Sequence, residues 1–372
     1  MKNNKVKSIH DFGQSIWLDF IDRQIMESGE LQQLIDEDGV RGVTSNPAIF
    51  EKAISSSSDY DTDIKKLSQE DISNEDIFYK LAVSDIKRAA DLFKPIYEDE
   101  EVRGADGYIS LEVSPRLARD TEGTIRQARE LWKAVDRENV MIKIPGTAEG
   151  LPAIQTSISE GININVTLLF SLDRYEAVAE AYISGLEDRL KANQPIDNIA
   201  SVASFFLSRI DVLVDPILKE KGLEQLQGEV AIASAKKAYE IYKRIFSSER
   251  FKKLEAKGAK PQRLLWASTS SKNPNFRDTK YVEALIGPNT VNTIPMDTLE
   301  AFRDHGKAAN SLEEGLDKAT DTLAQLQKAS INLDALTQKL EDEGIEKFNQ
   351  PYAKLLDAIA QQKKKALASE KS

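Results

Sequence analysis

Lys143 sits in the apolar run Met141-Ile142-Lys143-Ile144-Pro145-Gly146, and Glu112 sits between Leu111 and Val113 in another. Asp19 closes a third, Ile16-Trp17-Leu18-Asp19-Phe20. Asn165 and Thr167 stand in Asn163-Ile164-Asn165-Val166-Thr167, and Ser204 in Ser201-Val202-Ala203-Ser204. Ser268 stands in Trp266-Ala267-Ser268-Thr269-Ser270, and Asn46 in Val43-Thr44-Ser45-Asn46-Pro47. Polar groups in buried runs carry a desolvation cost, so they must be hydrogen-bonded, paired or functional. Each has a plainer reading too. A lysine at a strand end is often solvent-facing or salt-bridged. Asp19 could cap a following helix. Asn46-Pro47 is a turn signal, and the Thr167 and Ser204 hydroxyls could bond local backbone. Glu112 resists such a reading, because apolar residues flank it on both sides.

A lysine, two carboxylates, amides and hydroxyls suit amine–carbonyl chemistry. An unprotonated lysine adds to a ketone, loses water and becomes a Schiff base, whose iminium is an electron sink for breaking the neighbouring carbon–carbon bond. A carboxylate within reach must take the hydroxyl proton during cleavage and return it during addition. Imine formation also needs a held water with an acid–base group beside it. Asp19 and Glu112 are the available pair.

Other chemistries are excluded or disfavoured. The chain has no cysteine, so a thiol nucleophile, a thiolate metal site and a disulfide are ruled out. Its two histidines, His10 and His305, cannot build a multi-histidine metal centre and disfavour a Ser-His-Asp triad. His305, just before Gly306, reads as the end of a helix. Neither G-x-x-x-x-G-K-[ST] nor G-x-G-x-x-G is present, so nucleotide use is unsupported and no cofactor is called for. A phosphate could be held by Arg209, five residues after Ser204, by the Ser268–Lys272 loop, and by backbone amides at helix starts.

The elements that must position these groups are legible as apolar runs alternating with helical patterns. The runs are Ser15–Phe20, Gly42–Asn46, Gly107–Val113, Asn139–Ile144, Ile164–Phe170, Ala200–Leu207, Arg263–Ser268 and Thr290–Ile294. Each reads as a buried parallel strand. Between them, Thr121–Val135 and Leu172–Leu190 carry apolar residues at helical spacing, the second with Asp173 as a candidate cap. Eight βα units predict a (β/α)8 TIM barrel, which needs about 250 residues. A doubly wound open sheet would give the same alternation. The polar residues gather at the C-terminal ends of the runs, where a barrel builds its site. Alternation sets Met141 and Lys143 on one face of their strand, and Asn165 and Thr167 on one face of theirs.

The chain has 372 residues, so length remains to be placed. A helical insertion follows the second strand at 51–100, a long helix spans 228–257, and a helical extension runs over 311–372. One domain spanning 1–372 is the expected organisation. The net charge of −11 disfavours a nucleic-acid groove. No apolar run approaches the roughly 20 residues that span a bilayer, and no apolar stretch follows the lysines of the first ten residues. The chain therefore reads as cytoplasmic, with neither nucleic-acid nor membrane partners. Residues 361–372, with Lys363-Lys364-Lys365, read as a polar end that frays. Trp132 and Phe206 are candidates for a homo-oligomer interface, with aromatic core as the favoured role.

These residues resemble the transaldolase family. The matching segments are Val43–Phe50, Ser110–Leu117, Met141–Thr147, Asn163–Ser171, Leu264–Ser270 and Thr290–Pro295, in order along the chain. The resemblance implies a class I aldolase-type barrel acting on small sugar phosphates. It implies Lys143 as the Schiff-base lysine and Asp19 as the acid–base on the cleaved bond. It implies Glu112 and Thr167 as holders of the water of imine formation, and Asn46 and Asn165 as binders of substrate hydroxyls. Ser204 and Arg209 would bind phosphate, with Ser268 and Lys272 on the neighbouring loop. The implied reaction moves a dihydroxyacetone unit from sedoheptulose 7-phosphate to glyceraldehyde 3-phosphate, giving erythrose 4-phosphate and fructose 6-phosphate.

Three departures stand out. Ser270 stands where many members carry arginine, with Lys272 as a replacement candidate. Ser45 and Ala48 stand where threonine and serine are common. Asp19 is preferred over Asp22 because it lies on the strand and Asp22 in the helix after it. Two rivals stay open: release of free dihydroxyacetone from fructose 6-phosphate, and a non-catalytic barrel that binds sugar phosphates.

Overall fold

The computed structural model describes residues 4–102 and 104–369. Its sheet consists of β1 (Gln14–Leu18), β2 (Gly42–Val43), β3 (Tyr108–Glu112), β4 (Val140–Pro145), β5 (Ile164–Leu169), β6 (Ser201–Phe206), β7 (Arg263–Ala267) and β8 (Thr290–Ile294). All neighbours run parallel, and β8 pairs back to β1, so the sheet closes into a barrel. Closure excludes the open-sheet alternative, and the fold is the (β/α)8 barrel.

Helices follow each strand. After β1 come α1 (Arg23–Glu27) and α2 (Glu30–Gln33); after β2 come α3 (Pro47–Ser56), α4 (Asp61–Leu67) and α5 (Asn74–Glu98). α6 (Thr121–Val135), α7 (Gly150–Ser159) and α8 (Leu172–Lys191) follow β3, β4 and β5. β6 leads to α9 (Ser208–Glu220), α10 (Val230–Phe246) and α11 (Glu249–Glu255), and β7 to α12 (Lys280–Glu283). α13 (Met296–His305), α14 (Leu316–Lys328) and α15 (Leu333–Ser369) complete the chain after β8. Among the described residues, no helix is long and apolar enough to cross a membrane.

The barrel holds together because its strands are apolar toward the helices. Leu111, Ile142, Ile144, Ile164 and Val166 are all at most 1% exposed, and burying each such side chain is worth about 1.5–3 kcal/mol. The N-terminal mouth is closed by charge rather than by bulk. Asp106 accepts from Ser15 Oγ at 2.7 Å and Trp17 Nε1 at 3.0 Å, while Arg263 Nη2 donates to Ser15 Oγ at 2.7 Å.

Four local expectations are corrected. β2 ends at Val43 rather than Asn46, where the next three side chains turn to hydrogen bonds of their own. Ser45 Oγ donates to Ser110 O at 2.7 Å, and Asn46 Oδ1 caps α3 by accepting from Ile49 N at 3.0 Å. α8 is capped by Ser171, whose side chain accepts from Arg174 N, and not by Asp173. The stretch 228–257 is two helices, since Ser248 caps a new one at Phe251 N. Residues 361–369, read as a polar end, continue α15 as helix, with Lys363 Nζ donating to Ile72 O at 2.9 Å. Residues 370–372 of the expected extension lie outside the described residues.

Candidate active site

Register places the central residues side by side. Glu112 on β3 pairs with Lys143 on β4, and Lys143 pairs with Asn165 on β5. One layer of the barrel interior therefore carries a carboxylate, an amine and an amide. Lys143 is 5% exposed and Glu112 6%. The Lys143 Nζ donates to Ser45 O at 2.8 Å and lies 3.6 Å from Glu112 Oε2. That distance is an ion pair, too long for a hydrogen bond. Neither Glu112 oxygen has another partner among the described residues. Burial pushes the Glu112 carboxyl up to about 7, against the pull of the Lys143 charge and with a further push from Asp19.

Above this layer lies a cavity of about 270 Å³ at the C-terminal mouth. Asp19, Asn46, Lys143, Thr167, Ser204, Arg209, Ser268 and Lys272 all line it. Asp19 accepts from Thr44 Oγ1 at 2.8 Å, and that hydroxyl also meets Thr293 Oγ1 at 2.6 Å. Burial raises the Asp19 carboxyl above its ordinary range, while Lys143, Thr44 and Arg209 pull it back. Asp22 is occupied elsewhere, capping α1 by accepting from Ile25 N at 2.7 Å. Asn46 spends its oxygen on the α3 cap, which leaves its amide N–H groups as the donors on offer.

β5 carries a bulge. Val166 pairs with Ala203 and Leu169 with Phe205, so β5 has one extra residue there, and Leu168 takes φ 59°. Thr167, beside it, is fully buried with a hydroxyl that has no partner among the described residues. Asn165 lies below the cavity lining. Its Nδ2 donates to Ser110 Oγ at 3.1 Å and its Oδ1 accepts from Ser204 Oγ at 2.7 Å. Asn165 and Glu112 thus support the floor, whereas the other eight expected residues reach the wall.

Arg209, in the first turn of α9, has a buried Nη1 without a partner among the described residues. Its Cζ lies 5.3 Å from the ring centroid of Phe206 and 5.9 Å from that of Phe348. Burial lowers the guanidinium's pKa, and Asp19 opposes the shift. Lys272 Nζ donates to Ser270 Oγ at 2.7 Å, so the replacement lysine and the departing serine are directly joined. Ser268, with φ 56°, meets Ser208 Oγ at 2.8 Å.

Among the wall residues that the site prediction did not single out, four bear on its chemistry. Phe206 faces the cavity rather than a purely apolar core, and it packs on Phe170 at 5.4 Å. Thr44 was visible only as a polar strand end, and Thr293 only within the matching segment Thr290–Pro295. Phe348 arrives from α15 and carried no signal, because an aromatic in a long amphipathic helix reads as core.

The arrangement can do amine–carbonyl work: a buried amine, a second carboxylate and a guanidinium whose Nη1 is unpaired among the described residues line one small cavity, with a carboxyl poised near neutrality beneath it. Fold and site define a (β/α)8-barrel enzyme with its amine–carboxylate site at the C-terminal mouth. Comparison with known proteins agrees. Residues 16–359 match the family model described as transaldolase/fructose-6-phosphate aldolase. The chain is 50% identical to a transaldolase of Trichodesmium erythraeum, over 98% of this chain and 99% of that protein. It is 48% identical to transaldolase 2 of a Nostoc species, over 96% and 97% of the two chains. A transaldolase of Saccharopolyspora erythraea is 46% identical, over 97% and 98%. The chain belongs to the transaldolase/fructose-6-phosphate aldolase family, and it is an enzyme of the transaldolase kind.

Proposed function

We propose that the enzyme transfers a dihydroxyacetone unit from sedoheptulose 7-phosphate to glyceraldehyde 3-phosphate through a Schiff base on Lys143. The observation that carries this reading is the Lys143–Glu112 pair, 3.6 Å apart and buried at the base of the cavity that Asp19 and Arg209 line. Glu112 takes the ammonium proton, and the free amine adds to the ketose carbonyl. Protonation of the resulting hydroxyl, with Glu112 as acid and Thr167 holding the water, gives the iminium. Asp19 then takes the proton of the hydroxyl on the carbon beyond the breaking bond. The bonding pair moves into the iminium, an enamine forms, and erythrose 4-phosphate leaves. The enamine carbon attacks the aldehyde of glyceraldehyde 3-phosphate, and Asp19 returns the proton. Water hydrolyses the new imine, frees Lys143 and releases fructose 6-phosphate.

Asn46 would donate to substrate hydroxyls, and Asn165 would act from below by orienting Ser204. Arg209, with Ser204, Ser268 and Lys272 around it, would hold the phosphate. The anionic sugar phosphates of this reading do not cross a bilayer unaided, which fits a cytoplasmic enzyme.

Release of free dihydroxyacetone is the rival within the same family. The placement of α15 favours transfer, since the helix lies across the C-terminal face, tied to α8 and to the end of β4 through Arg174, and limits water at the enamine. The test is an assay with fructose 6-phosphate, with and without erythrose 4-phosphate. Transfer predicts turnover only with the acceptor; steady dihydroxyacetone release without it would establish the aldolase instead.

A further inference from the structure

α15 reaches the cavity across the C-terminal face and is fastened on both sides of it. Arg174 Nη1, from α8, donates to Gly146 O at 2.9 Å and to Glu341 Oε2 at 2.7 Å, tying the helix to the end of the lysine strand. Farther along, Tyr352 bonds Glu75 on α5, and its ring meets Phe78 edge-on at 5.8 Å. Between these fastenings, Gly344 gives the helix its close approach. A Cβ there would lie 3.0 Å from Leu168 Cδ2, the residue of the β5 bulge, and 3.7 Å from Arg209 Nη1. A glycine inside a helix costs roughly 0.5–1 kcal/mol relative to alanine, and here it keeps that contact open.

One turn later, Phe348 enters the cavity wall at 7% exposure. Its ring and that of Phe206, on β6, both lie within cation–π range of Arg209. Aromatic rings bind a guanidinium through its planar face and leave its N–H edge free for in-plane bonds. The edge here is free: Nη1 is buried and unpaired among the described residues.

We propose that Phe348 is a positioning residue that sets the preference for phosphorylated substrates, by holding Arg209 desolvated and oriented for a phosphate oxygen. The inference rests on the reading of Arg209 as the phosphate ligand. Without the Phe348 ring, water reaches the guanidinium and its rotamers multiply, so phosphate capture must first strip and order it. The amine chemistry at Lys143 is untouched by this change.

The test is steady-state transfer from saturating fructose 6-phosphate to two acceptors, erythrose 4-phosphate and unphosphorylated erythrose. Phe348→Ala should raise KM for the phosphorylated acceptor about tenfold, the size of one desolvated cation–π contact. It should leave kcat and the KM for erythrose within about twofold, since a lost orienting contact weakens binding rather than chemistry. Phe348→Tyr, which keeps the π face, should behave as the parent. Phe348→Leu, which fills the space without a π face, should behave as the alanine variant, and it decides the matter if alanine does not fold. Equal losses with both acceptors, or a leucine variant indistinguishable from the parent, would reduce Phe348 to packing and overturn the proposal. A parent enzyme that transfers to neither acceptor would instead refute the proposed reaction.

Discussion

Glu112 and Lys143 are register partners on β3 and β4, and their charged atoms sit 3.6 Å apart in a layer closed to solvent. Neither carboxylate oxygen has a hydrogen-bond partner among the described residues. The structure therefore bears the cost of a carboxyl pushed up to about 7 beside an amine. The deprotonated Glu112 carboxylate is then the base placed to free the neighbouring amine.

A pH dependence follows with a definite sign. Below about 7 the Glu112 carboxyl carries its proton, so no internal base is ready; above it Glu112 can accept the ammonium proton. The single-turnover rate of imine formation should rise as pH passes upward through about 7 and then level. In Glu112→Gln the limb near 7 should vanish and the rise should move to higher pH. Stopped-flow adduct formation across pH checks this, and an unchanged limb in the variant would remove Glu112 from the step.

Asp19 and Asp22 separate by their bonds. Asp19→Asn should cut transfer by about 10²–10⁴-fold, the usual worth of a general base, while the adduct on Lys143 still forms. Asp22→Asn should cost at most about 1 kcal/mol of stability, since asparagine also caps helices, and should leave turnover near the parent's. The reverse ranking of the two variants would reassign the base.

Thr44 donates to Asp19 and so favours its charged form. Thr44→Val removes that bond and should push the Asp19 carboxyl higher. Transfer should fall, more steeply toward low pH, and recover as pH rises. A uniform loss at every pH would point to altered packing instead.

The insertion is bound to the barrel by a buried ion pair. Arg23 Nε, on α1, donates to Asp85 Oδ1 on α5 at 2.9 Å, and Tyr60 OH donates to Asp85 Oδ2 at 2.8 Å. Asp85→Ala removes the buried partner of a guanidinium that is 9% exposed, leaves it paired with Asp63 at 2.8 Å, and should lower unfolding stability by about 2 kcal/mol, the scale of a lost hydrogen bond to a charged group. Denaturant titration measures this, and the folded fraction should retain its specific activity.

Much of the site was legible because parallel strands tolerate so few polar residues. Glu112 between Leu111 and Val113, and Lys143 between Ile142 and Ile144, could be placed on strands from their apolar neighbours alone. Alternation then put Lys143 inside, and only the closed barrel could bring β3 and β4 into the register that pairs them. Phe348 was illegible for the opposite reason. Its local sequence specifies an ordinary helix, and only long-range packing by Arg174, Tyr352 and the Gly344 contact brings it to Arg209. The break at Ser247–Ser248 was legible in principle, since serine followed by Glu249 is a helix-start signal. The long apolar periodicity around it masked the cap.

The central measurement is borohydride reduction of the enzyme mixed with fructose 6-phosphate, followed by peptide mass mapping. A reduced dihydroxyacetone adduct on Lys143 is expected, absent in Lys143→Ala, which should fold normally and turn nothing over. An adduct on another lysine, or steady transfer by Lys143→Ala at the parent's rate, would contradict covalent catalysis by this amine.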